Sequence, residues 1–489
     1  MAKELSEQHA VAGEAGEQQP AGEGLAPSPY EVPRPPSKRR VFTFYSFKGG
    51  VGRSLAMWNT ACVLADSGRR VLLIDADLEA PGLSFELQPQ DRPAREGFLE
   101  LATDAANALI NAKQDSVPSD HFFEEFVAKW SNCAVELARP ERGAGQEIRE
   151  RLREQFGDRL DVPEGGIELV RAAGDYEDYP SLLAQLPLDR LYAMPAEDSH
   201  RNLFEKWGLP VPDGDALSIG DLFEWMLKRA IWQTREQGSF DYVFIDSRTG
   251  FADVAGLCVQ GLPDRLVVLF GLNDQNLHGT REILDTLPDT RKKKDNLVLV
   301  ASPLPNAEAE LLQKRLEAAA DELGQSVDDI ERINYYPRLA LEEMNFTEAH
   351  RLAWVAQDYR RLSSRLRRCA GDTASDFMTR ALREADSDRQ LSKEQLQYIA
   401  LAALAEPNHV ETALASREVE YSTDLCRFLV AIDPEDAGYR GLLAVGLMKR
   451  AGEKDRADIE LARDMYEEAR QHLEIAVYQE PVPQRAYWT

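Results

Sequence analysis

The chain has 489 residues, and 57 Lys and Arg against 84 Asp and Glu give it a formal net charge of −27. The length allows two or three domains, and the negative charge argues against DNA or an anionic membrane as the main partner, because such surfaces repel an acidic protein at long range. Five scattered cysteines without a CxxC pair argue against a metal or disulfide framework and favour a reducing cytoplasm.

The N-terminal segment, residues 1–40, is rich in Glu, Gly, Ala, Gln and Pro and has few residues that form a core. This composition predicts a disordered tail. The β-branched and aromatic stretch 41–47 that follows predicts a buried strand, and 55–67 predicts a helix. The chain thus begins its folded part with a strand, a short loop and a helix.

The loop between that strand and helix contains Gly49, Gly50 and Gly52. Glycines lack the Cβ atoms that would keep the backbone from wrapping an anion, and a helix N-terminus favours negative charge. Ser54 opens the helix at the position where a phosphate-binding loop holds Mg²⁺. We therefore predict a phosphate-binding loop, although Phe47 and Arg53 stand where the ordinary pattern has glycine and lysine.

A second apolar strand, 71–74, runs directly into Asp75 and Asp77. Because parallel strands end at the ligand-binding edge of an open α/β sheet, both carboxylates should lie beside the loop. One can hold Mg²⁺ through water, and the other can position an attacking water molecule.

The connection from residue 84 to about 238 is too long for a loop and must carry its own structure. Its periodicity predicts helices at 97–112, 120–138, 146–156, 176–192 and 219–237, and a strand at 166–174. We interpret residues 88–163 as a helical insertion.

A third strand, 242–245, ends in Asp246 at the same predicted edge. A carboxylate there is a Walker B group, which fixes the metal beside the hydroxyl of Ser54. Arg248 lies in the loop that follows. Three interpretations of Arg248 are open: a second phosphate contact, a dimer contact or a structural salt bridge.

The remaining strands, 265–270, 297–301 and 330–336, complete a doubly wound sheet with the helices 307–323 and 353–368. The basic run 291–294 is a solvated loop or a docking site for an acidic partner or nucleic acid. Residues 371–489 show only helical periodicity. Helices are predicted there at 391–404, 410–418, 423–431, 438–450 and 459–478, and the later ones resemble tetratricopeptide hairpins.

Three motifs carry a family resemblance. The stretch Lys48-Gly-Gly-Val-Gly-Arg-Ser54 resembles the deviant Walker A motif of the ParA/MinD/nitrogenase-iron-protein class of ATPases. Asp75-x-Asp77 resembles its switch I and Asp246-x-x-x-Gly250 its switch II. The resemblance implies a ParA/MinD-like P-loop fold, which is α/β with a doubly wound, mostly parallel sheet. It would cover 41–368, followed by an all-α domain at 371–489.

The same resemblance implies ATP and Mg²⁺ as cofactors. Lys48 would reach the phosphates of a partner subunit, Asp77 would orient the attacking water, and Arg53 replaces a catalytic lysine, which bears on the rate more than on binding. The metal would be held by Ser54, Asp75 and Asp246. Nucleotide contacts are implied for Lys48, Gly49, Gly50, Val51, Gly52, Arg53, Ser54, Leu55 and Gly250, and base contacts for Ser302 and Pro303.

We accordingly expect an ATPase that works as a homodimerisation switch and controls a protein partner through its C-terminal helices. Its motif form looks like that of a bacterial subgroup with members in signalling and in phage (antiviral) defence. A nucleotide-stabilised scaffold that does not hydrolyse ATP is the alternative. A ParA-like DNA-partitioning ATPase is a further one, against which the net charge counts. The C-terminal end lacks a basic amphipathic helix, so no membrane anchor is expected.

Overall fold

A computed structural model gives the structure of most of the chain from Arg40 onward. It describes residues 40–87, 96–111, 121–137, 144–162, 164–174, 179–209, 217–238, 240–250, 256–287, 292, 296–305, 308–337, 354–382, 391–406, 410, 413, 423–434, 436–452, 454 and 458–479. The predicted tail apart from Arg40, most of the basic run 291–294 and most of the predicted helix 410–418 lie outside the described residues.

In these described ranges, eight strands form one sheet in the order β3-β4-β2-β5-β1-β6-β7-β8. The strands are β1 (Val41–Ser46), β2 (Arg70–Ala76), β3 (Val135–Glu136), β4 (Gly166–Val170), β5 (Tyr242–Ser247), β6 (Arg265–Phe270), β7 (Leu297–Leu304) and β8 (Ile330–Asn334). All neighbours pair in parallel except the edge strand β3, which is antiparallel to β4. The predicted doubly wound, mostly parallel α/β fold is confirmed.

The helices flank this sheet and continue beyond it. They are α1 (Arg53–Asp66), α2 (Gly82–Glu86), α3 (Phe98–Ile110), α4 (Phe122–Cys133), α5 (Ala144–Phe156), α6 (Tyr179–Leu183), α7 (Leu188–Ala193), α8 (Asp198–Lys206), α9 (Ile219–Gly238), α10 (Asp274–Thr286), α11 (Ala309–Leu323), α12 (Trp354–Cys369), α13 (Ala374–Leu382), α14 (Lys393–Ala405), α15 (Thr423–Ile432), α16 (Ala437–Gly452) and α17 (Ile459–Gln479).

Both faces of the sheet are buried, as the continuous apolar strands require. Successive side chains of a strand point to opposite faces. In β1, Phe42 and Phe44 pack with α1 and α12, whereas Val41 and Tyr45 face the opposite layer. That layer contains α3, α4 and α9 at one end of the sheet and α10 and α11 at the other.

The single helix predicted for 176–192 is wrong. The chain forms two short helices, α6 and α7, separated at Leu186 and Pro187. Proline disfavours the helical conformation of the residue before it, which explains the break. The helix predicted for 120–138 is wrong at its C-terminal end, where α4 stops at Cys133 and strand β3 follows. The helices α2, α8 and α13 were not predicted.

Helix α5, which lies in the predicted insertion, packs against the C-terminal helices. Ile148, Leu152 and Phe156 of α5 lie in one apolar cluster with residues of α13, α14 and α15. The rings of Phe156 and Phe428 lie 4.4 Å apart, centroid to centroid. The boundaries 41–368 and 371–489 remain a prediction, but the two parts share this core.

A buried ion cluster lies at the junction between α12 and α13. Asp372 is fully buried and accepts two hydrogen bonds from Arg69, both of 2.9 Å. The hydroxyl of Tyr242 donates to the same carboxylate at 2.6 Å, and Arg40 lies 3.7 Å away. Burial opposes the charge on Asp372, but Arg69 and then Arg40 outweigh it and hold its pKa far below the usual value.

Among the described residues, no helix is both long and apolar enough to span a membrane. The hairpin of α16 and α17 does leave apolar side chains at the surface. Val445 is 52% exposed and Tyr466 49%. Met448 and Tyr466 help to line a groove of about 440 Å³ there.

Candidate functional site

The glycine loop connects β1 to α1. Gly50 and Gly52 have φ angles of 80° and 77°, in the left-handed region that favours glycine. A Cβ built on Gly49 or Gly50 would meet no atom within 4 Å, so this backbone borders open space. Among the residues that the structure describes, no side chain caps the first N–H groups of α1, and its first turn contains no acidic residue. Those N–H groups are therefore available to an anion.

Two contacts hold the loop in place. The ring of Phe47 lies so close to Gly279 that a Cβ there would be 2.1 Å from it. The hydroxyl of Ser302 donates to the carbonyl oxygen of Val51 at 2.8 Å, and Ser302 is only 2% exposed. The Ser302 hydroxyl is thus used to position the loop. Base contacts by Ser302 and the exposed Pro303 stay a prediction.

Arg53 occupies the centre of the acidic edge. Its Nε donates to Asp246 Oδ1 at 2.5 Å, and its Nη2 donates to Asp77 Oδ2 at 2.5 Å. The hydroxyl of Ser54 donates to the other oxygen of Asp246, also at 2.5 Å. The three sequence motifs therefore meet through direct side-chain contacts.

The site carries an excess of negative charge. Burial, and after it the charge of Asp246, raises the pKa of Asp75 to about 7. Burial also raises the pKa of Asp77, although Arg53 opposes this. Burial disfavours the charge on Arg53, but Asp246 and Asp77 outweigh it and raise its pKa. Even with Asp75 partly protonated near pH 7, the carboxylates of Asp77 and Asp246 outnumber the one buried arginine, so a further cation such as Mg²⁺ would be stabilised here.

Asp75 lies deeper than the other carboxylates and is fully buried. The backbone N–H and the hydroxyl of Ser84 donate to its Oδ2 at 2.9 and 2.6 Å, and the N–H of Asp77 donates to its Oδ1 at 3.2 Å. These bonds position the turn between Asp75 and Asp77. A role for Asp75 in the metal shell stays a prediction.

A cleft of about 430 Å³ opens above these residues. Its lining comprises Ser46, Gly49, Gly50, Val51, Gly52, Arg53, Ser54, Leu55, Asp77, Glu79, Ala80, Leu83, Arg248 and Thr249. Lys48 is half-buried at the start of the loop and lies outside this lining. Gly250 also lies outside it, with φ 78°, and its carbonyl oxygen accepts a hydrogen bond from Tyr45 at 3.2 Å.

Arg248 is ion-paired with Glu79, through its Nη1 and Oε1. Of the alternatives open for Arg248, the structure thus shows a salt bridge, and it lies within the cleft. Glu79 and Ser84 were not predicted as site residues. Glu79 follows Asp77 in the same turn, and its charge opposite to Arg248 is the signal that could have indicated it.

These residues fit a nucleotide with Mg²⁺. The glycine loop and the uncapped helix N-terminus suit phosphate, and the oxygen atoms of Ser54 and Asp246 are ligands of the kind that Mg²⁺ prefers. Within the described part of the chain, no group of three or more His, Cys, Asp or Glu residues could hold a metal ion.

Two curated proteins resemble short parts of the chain. One is an uncharacterised ATP-binding protein of Methanocaldococcus jannaschii, 30% identical over 78 residues, which are 16% of this chain and 30% of that protein. The other is the protein virC1 of Rhizobium rhizogenes, 30% identical over 83 residues, 17% of this chain and 36% of that protein. The chain thus spans about a third of the length of these relatives.

Solved structures of similar fold include the MinC:MinD cell division protein complex of Aquifex aeolicus. It has 16% identity and a TM-score of 0.39 and covers 68% of this chain and 97% of that one. A ParA family ATPase from Chlorobium tepidum has 11% identity and a TM-score of 0.38, with 67% and 99% covered.

The family assignment rests on a longer match. Residues 42–362 match the family model described as the CobQ/CobB/MinD/ParA nucleotide binding domain. This range contains the glycine loop, both aspartate motifs and the sheet apart from Val41, the first residue of β1. The chain therefore belongs to the CobQ/CobB/MinD/ParA family of nucleotide-binding proteins, with a P-loop domain of the ParA/MinD type.

Proposed function

We propose that this protein is an ATPase that works as a nucleotide-dependent dimerisation switch. The observation that carries the proposal is that the glycine loop, Asp77 and Ser54 line one cleft, and that Ser54 is hydrogen-bonded to Asp246. In this proposal the loop N–H groups bind the phosphates, and Ser54 and Asp246 hold Mg²⁺. When bound, Mg²⁺ would offset the phosphate charge.

Hydrolysis in this scheme requires Asp77 to orient a water molecule, so Asp77 has to be released from Arg53. An entering phosphate offers Arg53 an alternative partner, to which a guanidinium binds well. Because Arg53 leaves two carboxylates at once, we propose that turnover is slow.

The dimer is proposed to hold ATP between two subunits, with Lys48 contacting the phosphates of the partner subunit. The position of Lys48 supports this: it adjoins the glycines but lies outside the lining of its own chain's cleft. The five buried cysteines support the reducing cytoplasm as the compartment of the switch.

The first test is the mass of the full chain in solution, measured by light scattering with ADP and with ATP and Mg²⁺. We expect the mass of the wild type to double with ATP and Mg²⁺ but not with ADP. The mass of Lys48→Ala, measured side by side, should remain that of one chain in both conditions. Lys292→Ala is the control and should dimerise normally, because Lys292 precedes β7 and the glycine loop follows β1, which places the two at opposite edges of the parallel sheet. A mass that does not respond to ATP would contradict the switch.

One observation favours the alternative of a scaffold that binds ATP without hydrolysing it. Arg53 holds both Asp77 and Asp246 at 2.5 Å while it is itself buried. If nucleotide leaves these contacts intact, Asp77 cannot orient water. An ATP-dependent dimer that releases no phosphate over many hours would establish this alternative.

We further propose that a partner protein in bacterial signalling or phage defence docks, through an amphipathic helix, on the hairpin of α16 and α17. Support comes from the exposed apolar side chains of Val445, Met448 and Tyr466, since large exposed apolar patches mark interaction surfaces. The shared core of α5 with the C-terminal helices gives the ATPase domain a direct contact through which to act on this surface.

A photo-crosslinking amino acid at position 445 tests the docking surface in cells. We expect a crosslinked heterologous protein with wild-type Lys48, and at least a several-fold weaker crosslink with Lys48→Ala. The same amino acid at Leu311, a side chain of the ATPase domain that is 52% exposed, is the matched control and should give none. Crosslinks only to a second copy of this chain would show instead that the hairpin binds itself.

A further inference from the structure

The salt bridge between Arg248 and Glu79 spans the nucleotide cleft. Arg248 follows β5 and Glu79 follows β2, and these strands are neighbours in the sheet. Both side chains line the cleft together with the glycine loop. Arg248 is therefore a second cation in the site, in addition to Arg53.

The two arginines are held very differently. Arg53 has a side chain only 8% exposed and contacts two carboxylates. The side chains of Arg248 and Glu79 are 30% and 51% exposed. Exposed ion pairs contribute little stability, so the pair of Arg248 with Glu79 can be exchanged at small cost. Arg248 is thus the cation that an entering ligand can more readily recruit.

The position of Arg248 indicates which part of a nucleotide it would meet. It lies two residues after Asp246, which accepts a hydrogen bond from Ser54, the proposed metal ligand. The loop N–H groups and Ser54 would hold the inner phosphates and the metal. Arg248 and its neighbour Thr249 come directly after the Asp246 strand and line one wall of the cleft. In this scheme the terminal phosphate of ATP, which ADP lacks, would lie against that wall.

We propose that Arg248 is the residue that distinguishes ATP from ADP, by exchanging Glu79 for the terminal phosphate of ATP. This inference rests on the proposed function. A terminal phosphate carries more charge than a carboxylate and binds a guanidinium in a bidentate manner. With ADP the terminal position is empty, and Arg248 stays with Glu79. Exchange of this salt bridge reports the presence of the terminal phosphate to the loops after β2 and β5.

The experiment is calorimetric titration of the full chain with ADP and with a non-hydrolysable ATP analogue, both with Mg²⁺. For Arg248→Ala we expect the affinity for the analogue to fall at least about 10-fold, and that for ADP to change less than about twofold. Arg248→Lys keeps the charge without the bidentate geometry, and its affinity for the analogue should lie between those of the wild type and Arg248→Ala. Light scattering on the same samples separates an effect on binding from one on dimerisation.

Glu79→Gln is the matched second variant, because it releases Arg248 instead of removing it. It should raise the affinity for the analogue by about two- to fivefold, the equivalent of an exposed ion pair, and leave ADP unaffected. If Arg248→Ala fails to fold, Glu79→Gln alone decides: a raised preference for the analogue supports the inference, and an unchanged preference overturns it.

The inference would be overturned, while the proposed function stands, if Arg248→Ala lowered the affinities for both nucleotides equally. It would also be overturned if Arg248→Ala changed the mass in solution without changing the affinity for either nucleotide. A wild-type protein that binds neither nucleotide would overturn the proposed function and this inference together.

Discussion

Replacing Asp77 with alanine should lower the rate of ATP hydrolysis at least about 100-fold, because a side chain that orients or activates the attacking water contributes on this order. ATP binding and the proposed ATP-dependent dimer should remain, since the glycine loop and the Ser54–Asp246 pair are untouched. The mutant should therefore accumulate as a stable ATP-bound dimer. Phosphate release and light scattering on the same sample measure both effects.

The control for Asp77→Ala is Asp104→Ala. Asp104 is also ion-paired, with Lys129 at 2.7 Å, but its side chain is 43% exposed at the surface of α3. Its removal should leave the hydrolysis rate unchanged. If Asp77→Ala hydrolyses ATP at the wild-type rate and binds it more tightly, Asp77 serves only to hold Arg53.

Replacing Asp372 with asparagine should destabilise the protein by roughly 3–5 kcal/mol at pH 7, because it leaves the buried charge of Arg69 without its partner. The side chains of Arg69 and Asp372 are 3% and 0% exposed. Chemical denaturation compared with the wild type measures the loss. Asp285→Asn is the control: its pair with Arg281 is exposed, at 46% for Arg281 and 58% for Asp285, and an exposed pair contributes about 1 kcal/mol or less.

The effect of Asp372→Asn should depend on pH. The pKa of Asp372 is lower in the folded protein than its ordinary value. Its contribution is therefore complete above the unfolded pKa of about 4 and is lost as the pH falls below it toward the folded pKa. The difference between wild type and mutant should shrink from pH 4 to pH 3. A difference that grows toward low pH would contradict this assignment.

A double variant distinguishes charge from packing. Arg69→Met with Asp372→Leu removes both charges and should recover most of the stability lost in Asp372→Asn, since buried ion pairs are often replaceable by apolar residues. A double variant no more stable than the single one would mean that Tyr242 or Arg40 depends on this carboxylate independently.

The sheet was largely predictable because its strands are continuous apolar runs. The prediction 265–270 coincides with β6 (Arg265–Phe270), and the motif-bearing turns follow β1, β2 and β5 as expected. Strand β3 has only two residues, too few for a periodic pattern. The motifs also indicated which residues meet, because parallel strands bring their ends to one edge.

The Ser54–Asp246 pair was predictable from the motifs, but the side-chain partners of Arg53 and the contacts that position the glycine loop were not. Arg53 contacts Asp246 across 193 positions of the chain, and Ser302 contacts Val51 across 251. Sequence spacing contains no information on such pairs, which depend on how strands and loops are stacked. The burial of Asp372 was also not predictable, because the residues next to it in the sequence give no indication that this carboxylate lies in the core.

The packing of α5 against the C-terminal helices also affects how the protein is made. The salt bridge between Arg159 and Asp424 joins residues 265 positions apart, which at about 5–20 residues per second corresponds to roughly 13–50 s of synthesis. During that interval the apolar face of α5, with Ile148, Leu152 and Phe156, has left the ribosome before its covering helices exist. The C-terminal helices thus complete the folding of a segment synthesised long before them.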